Sequence, residues 1–219
     1  CMAMKYEARR DGMMRKGISD VDSVLTVREL ARLIRLYGID VYNTAREPAD
    51  EPLAGRSSSA VLAELSGGLA EGVVRLVSYR LSGKEPDRQL LKKIRGSGSF
   101  RDCTVKAGGT EIRVAVVDGL TGLEKLTNAL QAGTKYNLVE VMACPGGCIH
   151  GGGLPKIASR DDLKNRARLI WQSDETEAIS IPEKSPSFLS LCDKLANENM
   201  EISDKRIFHT HFERKDVLL

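Results

Sequence analysis

Apolar positions from Thr26 to Tyr37 recur with helical spacing, at Val27, Leu30, Ala31, Leu33, Ile34 and Tyr37. Thr26 stands at the N-cap position, Glu29 completes a capping box three residues on, and Gly38 follows the last apolar residue. The pattern predicts an amphipathic helix over 26–37. Ile39–Tyr42 then reads as a short strand, and Asn43–Ser59, with Pro48, Pro52, Gly55 and three serines, as a loop. A second helix is expected over Ala60–Leu81. Its Gly67, Gly68 and Gly72 each cost about 1 kcal/mol inside a helix, so either something approaches that backbone closely or the helix begins after them.

Further along, the period falls to two. Thr104–Ala107 and Glu111–Val117 flank Gly108-Gly109 as a hairpin. The second strand runs through Asp118-Gly119 into Thr121, the expected N-cap of a helix with Glu124 in its first turn and Gly133 at its end. Leu138–Met142 follows as a strand. This βαβ order predicts parallel pairing, with functional loops at the carboxyl ends of the strands. Arg160–Gln172 and Ser187–Asn197 read as two more helices around a linker with Pro182 and Pro186. The expected class is α/β: a twisted, largely parallel sheet flanked by helices, with a helical C-terminal tail.

Composition narrows the function. With 219 residues, 42% hydrophobic, 29% charged and 5% aromatic, the chain falls outside the collagenous, disordered and membrane-spanning classes. Thirty-three basic against thirty acidic residues leave a net charge of +3, which argues for neither a nucleic-acid nor a membrane partner. No apolar run reaches the roughly 18–20 residues of a bilayer span, and Cys1–Tyr6 lacks a signal-peptide core, so a cytoplasmic location is expected. An opening Cys rather than Met reads as a fragment or a processed product.

Five dispersed cysteines do not make a secreted disulfide framework, leaving reduced thiols or metal ligands. Cys144-Pro145-Gly146-Gly147-Cys148-Ile149-His150-Gly151-Gly152-Gly153 is the most unusual stretch. It offers two soft ligands on a backbone able to turn tightly and to aim N–H groups at cluster sulfurs, which suits a metal or iron–sulfur cluster. Spacing alone equally allows a glycine-rich turn with incidental thiols, or a redox disulfide. Cys103 and Cys192 match no motif and read as packed or free thiols, and His150 as a solvated loop residue. A zinc site joining His209 and His211 to Cys144 and Cys148 is the rival constellation.

Val141-Met142-Ala143-Cys144-Pro145-Gly146-Gly147-Cys148, with the glycines after it, closely resembles the third cluster-binding signature of the iron-only (FeFe) hydrogenases. Cys1-Met2-Ala3-Met4-Lys5-Tyr6-Glu7-Ala8 is similar to the second signature. Asp20-Val21-Asp22, Leu25-Thr26, Arg28-Glu29-Leu30-Ala31 and Ser66-Gly67-Gly68 resemble the family's connecting segments, and the tail with His209-Thr210-His211 resembles its small subunit. In that family a 4Fe-4S cubane held by four cysteines is joined through one of them to a di-iron subcluster, together the H-cluster. The resemblance implies Cys1 and Cys144 as cubane ligands and Cys148 as the bridging ligand. Met4, Met142, Ala143 and Pro145 would lie against the cofactor.

It also implies reversible interconversion of protons and electrons with molecular hydrogen. Residues 1–159 would be the C-terminal half of the catalytic domain and 160–219 a small-subunit-like tail. The expected partners are an N-terminal lobe carrying the fourth thiolate and an electron carrier such as ferredoxin, or a signalling partner. The 219 residues alone would be inactive. Two departures stand out. Met4 replaces the lysine that catalytic members use to hydrogen-bond a cyanide ligand, as in the sensory group, and Lys5 is one residue too far along to substitute. Ala63 and Glu64 replace an aromatic and a glycine, making Glu64 a candidate catalytic proton carrier. A non-catalytic iron–sulfur or hydrogen-sensing signalling module is the alternative.

Overall fold

The computed structural model describes residues 1–48, 50, 57–157 and 159–197. The chain begins with α1 (Met2–Glu7), a small hairpin of β1 (Met14–Arg15) and β2 (Ile18–Ser19), and α2 (Val27–Leu36). The capping box of α2 is made as expected: the Glu29 N–H donates to Thr26 Oγ1 at 3.2 Å, and the Thr26 N–H to Glu29 Oε2 at 2.8 Å. Ile39–Tyr42 is a turn rather than a strand. The Asp40 carboxylate accepts the Tyr42 and Asn43 N–H groups at 3.0 and 3.3 Å, so local turn chemistry takes the donors that a ladder would need.

The single helix expected over Ala60–Leu81 is two: α3 (Ser58–Leu62) and α4 (Gly68–Ser82). Gly67, at φ +90°, reverses the chain between them. A Cβ on Gly68 would fall onto the Leu62 carbonyl and one on Gly72 within 3.3 Å of Ser59 Cβ, so the glycines serve the close approach of α3. The start of α4 is capped from afar. Buried Glu140 accepts the Gly67 and Ala70 N–H groups at 2.5 and 2.7 Å, placing a carboxylate on the positive end of the helix.

After α5 (Arg88–Leu91), the strands β3 (Phe100–Ala107) and β4 (Thr110–Asp118) form the expected hairpin. Gly108 and Gly109 turn it at φ +57° and +84°. The chain crosses through α6 (Leu123–Gln131) into β5 (Leu138–Met142), which pairs parallel to β4 with Asp118 opposite Met142. The sheet therefore runs β3-β4-β5, one pairing antiparallel and one parallel, and the α/β class holds. Thr121 does not cap α6. A 3-10 turn over Leu120–Gly122 enters the helix instead, with Gly122 as N-cap pressed so closely on the Ser99 carbonyl that no Cβ fits.

The central strand β4 buries Ile112, Val114, Ala115, Val116 and Val117 in succession because both its faces are covered. Val114 and Val116 pack with Ala70 and Val74 of α4, Leu91 and Ile94; Ala115 and Val117 pack with Leu126 of α6. Two further helices follow, α7 (Arg160–Thr176) and α8 (Pro186–Asn197). Leu163, Ala167, Ile170 and Trp171 of α7 close over Leu62, Leu65 and Ile149. Deeper in, Asp174 takes both Arg75 Nη groups at 2.8 and 2.9 Å and Arg95 Nη2 at 2.6 Å, while Glu71 faces the same two arginines. No helix among the described residues is long and apolar enough to cross a membrane.

Candidate functional site

The strands β4 and β5 end side by side, and the cysteine loop crosses their carboxyl edge, where a βαβ unit places function. The Gly119 N–H donates to the Met142 carbonyl at 2.8 Å and the Gly146 N–H to Asp118 Oδ1 at 2.5 Å. From the other side the α3–α4 turn holds the loop: the Cys148 N–H donates to the Glu64 carbonyl at 2.7 Å and the Ser66 N–H to the Gly146 carbonyl at 3.3 Å. Gly147 has φ +85° and ψ −155°, a conformation open almost only to glycine. A Cβ there would lie 2.5 Å from the Glu64 oxygen and 2.8 Å from the Ser66 nitrogen.

The sequence suggests loop N–H groups aimed at cluster sulfurs. Those of Gly146, Gly147, Cys148 and Gly151 are instead given to protein acceptors, so these hydrogen bonds fix the loop's shape. The Gly151–Gly153 run has a different task. Its residues receive the N-terminal segment: the Met2 N–H donates to Gly152 O at 3.0 Å and the Arg28 N–H to Gly153 O at 3.2 Å. A Cβ on Gly153 would meet Thr26 Cγ2 at 2.6 Å, and one on Gly151 would meet Cys1 Cβ at 3.8 Å. Three glycines thus bring Cys1 to the cysteine loop.

Cys1, Cys144 and Cys148 line one cavity of about 660 Å³, with Met4, Met142 and Ala143 in the same wall. Pro145 turns away, its carbonyl 3.1 Å from His150 Nδ1 and its ring close to Gly119. Glu64 is exposed and stands outside the wall, but its charge reaches Cys148. Burial first, then Glu64 and Cys144, push the Cys148 thiol above its ordinary value. Lys5 is committed elsewhere, paired with Glu29 at 2.9 Å. That contact, after the Thr26 N–H, helps hold the Glu29 carboxyl at about 2. Cys103 packs against the sheet core, as expected of a structural thiol. His209 and His211 lie outside the described residues.

Asp118, Ser66 and Arg101 are site residues that the sequence does not mark as such. Arg101 donates to Ser66 Oγ at 3.0 Å and has Nη1 3.6 Å from Asp118 Oδ2, which ties the two edges that grip the loop. Burial lowers the Arg101 pKa despite the attraction of Asp118 and Glu140. Only the position of Asp118 at the carboxyl end of β4 could have signalled this.

Residues 1–152 match the model of the iron-only hydrogenase large subunit, C-terminal domain, and the chain belongs to that family. Over 219 residues it is 30% identical to the NADP-reducing hydrogenase subunit HndD of Solidesulfovibrio fructosivorans, covering all of this chain and 37% of that one. The cytosolic iron-sulfur assembly component 3 of Mus musculus is 32% identical over 97% of this chain and 46% of its own. The fold superposes on the [FeFe]-hydrogenase HydA1 of Chlamydomonas reinhardtii with a TM-score of 0.75 at 26% identity, over 97% of this chain and 61% of that chain. The chain thus spans less than two thirds of each of these relatives.

The donor set suits the cluster that the family implies. Three soft thiol donors line one largely apolar hollow. Among the described residues no three His, Cys, Asp or Glu are grouped closely enough to hold a metal ion.

Proposed function

We propose that this chain is the cluster-bearing part of an iron-only hydrogenase catalytic domain, with Cys1 and Cys144 as cubane ligands and Cys148 as the bridging ligand. The observation that carries this reading is the convergence of Cys1, 143 positions away from Cys144, with Cys144 and Cys148 on one cavity. When bound, the cofactor supplies the redox chemistry that interconverts protons and electrons with molecular hydrogen. The chain's own residues hold and shape its seat. Met4, Met142 and Ala143 provide apolar surface beside the thiols. Pro145, between the two thiols, stiffens the loop.

Neither Cys103 nor Cys192 lines the cavity, so on this reading the fourth cubane thiolate comes from polypeptide beyond these 219 residues, which by themselves are inactive. On this reading residues 1–159 are the catalytic piece and 160–219 the small-subunit-like tail, whose helix α7 packs on Leu62, Leu65 and Ile149. Glu64, beside Cys148, is the proton carrier at the cavity mouth. Met4 in the cavity wall is what supports reading this as a sensory-type member, since a thioether accepts weakly and donates nothing.

A second reading, an iron–sulfur module without turnover, is favoured by the match to an iron-sulfur assembly component. Hydrogen evolution from a reduced dye by the full-length, reconstituted gene product separates the two. Turnover that is slow and falls further in Glu64→Gln supports the first reading; an intact cluster with no turnover supports the second. Stoichiometric zinc in place of iron and sulfide refutes both.

A further inference from the structure

We infer that Asp118 is a positioning residue for the candidate ligand loop, acting with Arg101 as a clamp that holds the Gly146 peptide and so sets where the Cys144 and Cys148 thiols point. The inference rests on the cluster-site reading for its importance but not for its geometry.

The loop between the two thiols has two anchors. One is the α3–α4 turn, which supplies the Glu64 carbonyl to the Cys148 N–H and the Ser66 N–H to the Gly146 carbonyl. The other is Asp118, whose Oδ1 accepts the Gly146 N–H at 2.5 Å. Gly146 is therefore fixed at its N–H by the sheet and at its carbonyl by the helical turn. Arg101 binds the anchors to each other, with Nη2 on Ser66 Oγ at 3.0 Å and Nη1 3.6 Å from Asp118 Oδ2. It is braced in turn by the Ile94 carbonyl at 3.2 Å and the Gly98 carbonyl at 3.3 Å.

The clamp lies mostly out of solvent: the Arg101 and Asp118 side chains are 10% and 12% exposed. A carboxylate accepting a backbone N–H in such a place makes a strong, directional bond. Asp118 also ends β4 opposite Met142, so the strand that forms the sheet core carries the clamp. Gly146 has φ +82°, a conformation glycine adopts freely. Asp118 is absent from the cavity wall, and its hydrogen bond into the loop goes to the Gly146 N–H.

The test uses the full-length gene product in its cluster-free form, treated with iodoacetamide, with the modification rate of each cysteine read by mass spectrometry. Cys103 in β3 serves as the internal reference for global unfolding. Asp118→Ala is expected to raise the rates at Cys144 and Cys148 about tenfold with Cys103 unchanged, the size expected for losing one hydrogen bond to a charged group. Asp118→Asn keeps an acceptor and is expected to restore rates close to the parent.

Equal rates in Asp118→Ala and the parent would overturn the inference, as would Asn behaving like Ala. Should Asp118→Ala unfold the chain, seen as Cys103 rising with the others, Arg101→Gln decides: a selective rise at Cys144 and Cys148 supports the clamp, and its absence overturns it. After reconstitution, Asp118→Ala is expected to shift the EPR g-values and Asp118→Asn to leave them in place. A parent protein that takes up no iron would defeat the cluster reading and leave the thiol-rate result standing.

Discussion

Replacing Gly147 with alanine attacks the loop at its least forgiving point. The backbone there, at φ +85° and ψ −155°, costs an alanine about 1–3 kcal/mol. Its Cβ would lie 2.5 Å from the Glu64 carbonyl oxygen and 2.8 Å from the Ser66 nitrogen, both main-chain atoms that cannot swing aside. Making room separates the loop from the α3–α4 turn and breaks the Cys148-to-Glu64 and Ser66-to-Gly146 hydrogen bonds, each worth about 0.5–1.5 kcal/mol net. Together the loss is about 2–6 kcal/mol, a large share of the roughly 5–15 kcal/mol that holds a domain folded. Urea unfolding followed through the one tryptophan, Trp171, reads this directly, because Trp171 packs on Leu65 and Ile149 at the base of the loop. Gly133→Ala is the control: φ is +85° there too, but nothing lies within 4 Å, so about 1–2 kcal/mol is expected. If Gly147→Ala loses no more than Gly133→Ala, the close approach argued for the loop is wrong.

The buried charges joining α4 and α7 give further expectations. Asp174→Ala strands Arg75 and Arg95 beside Glu71 alone and should lower stability by about 3–5 kcal/mol in the same urea assay. Burial would push the Asp174 carboxyl up, but hydrogen bonds from Arg75, Ser58 and Arg95 outweigh it and hold it well below the usual range. Its contribution is complete above the unfolded-chain value of about 4 and disappears as pH falls toward the depressed folded value, so an acid titration of stability should lose that limb in Asp174→Asn. Gly153→Val, which would drive a side chain into Thr26, should detach the N-terminal segment and expose Cys1 to alkylation while Cys103 stays protected. Cys103→Ser, by contrast, should leave iron uptake unchanged, measured by metal analysis.

Much of this architecture can be read from the chain where local chemistry and long-range packing agree. The Thr26–Glu29 box, the Gly108-Gly109 hairpin and the Leu138–Met142 strand are of that kind. Reading fails where a distant contact decides. The break between α3 and α4 depends on Leu62 closing over Gly68, and the entry to α6 on Ser99 closing over Gly122; neither partner is visible from the local pattern. Ile39–Tyr42 has strand-forming residues, but the Asp40 carboxylate takes the Tyr42 and Asn43 N–H groups within the turn. The candidate site divides the same way. Its thiols are legible because the segments around them resemble the family's signatures, whereas Asp118 and Arg101 are ordinary charged residues until the sheet brings them to the loop.

Anaerobic reconstitution of the full-length gene product, with iron and sulfide analysis and low-temperature EPR, tests the central claim most directly. A cubane signal that is lost in Cys1→Ser, Cys144→Ser and Cys148→Ser and kept in Cys103→Ser is the predicted result. An iron–sulfur signal that survives all three of those substitutions would contradict the assignment of this cavity as the cluster site.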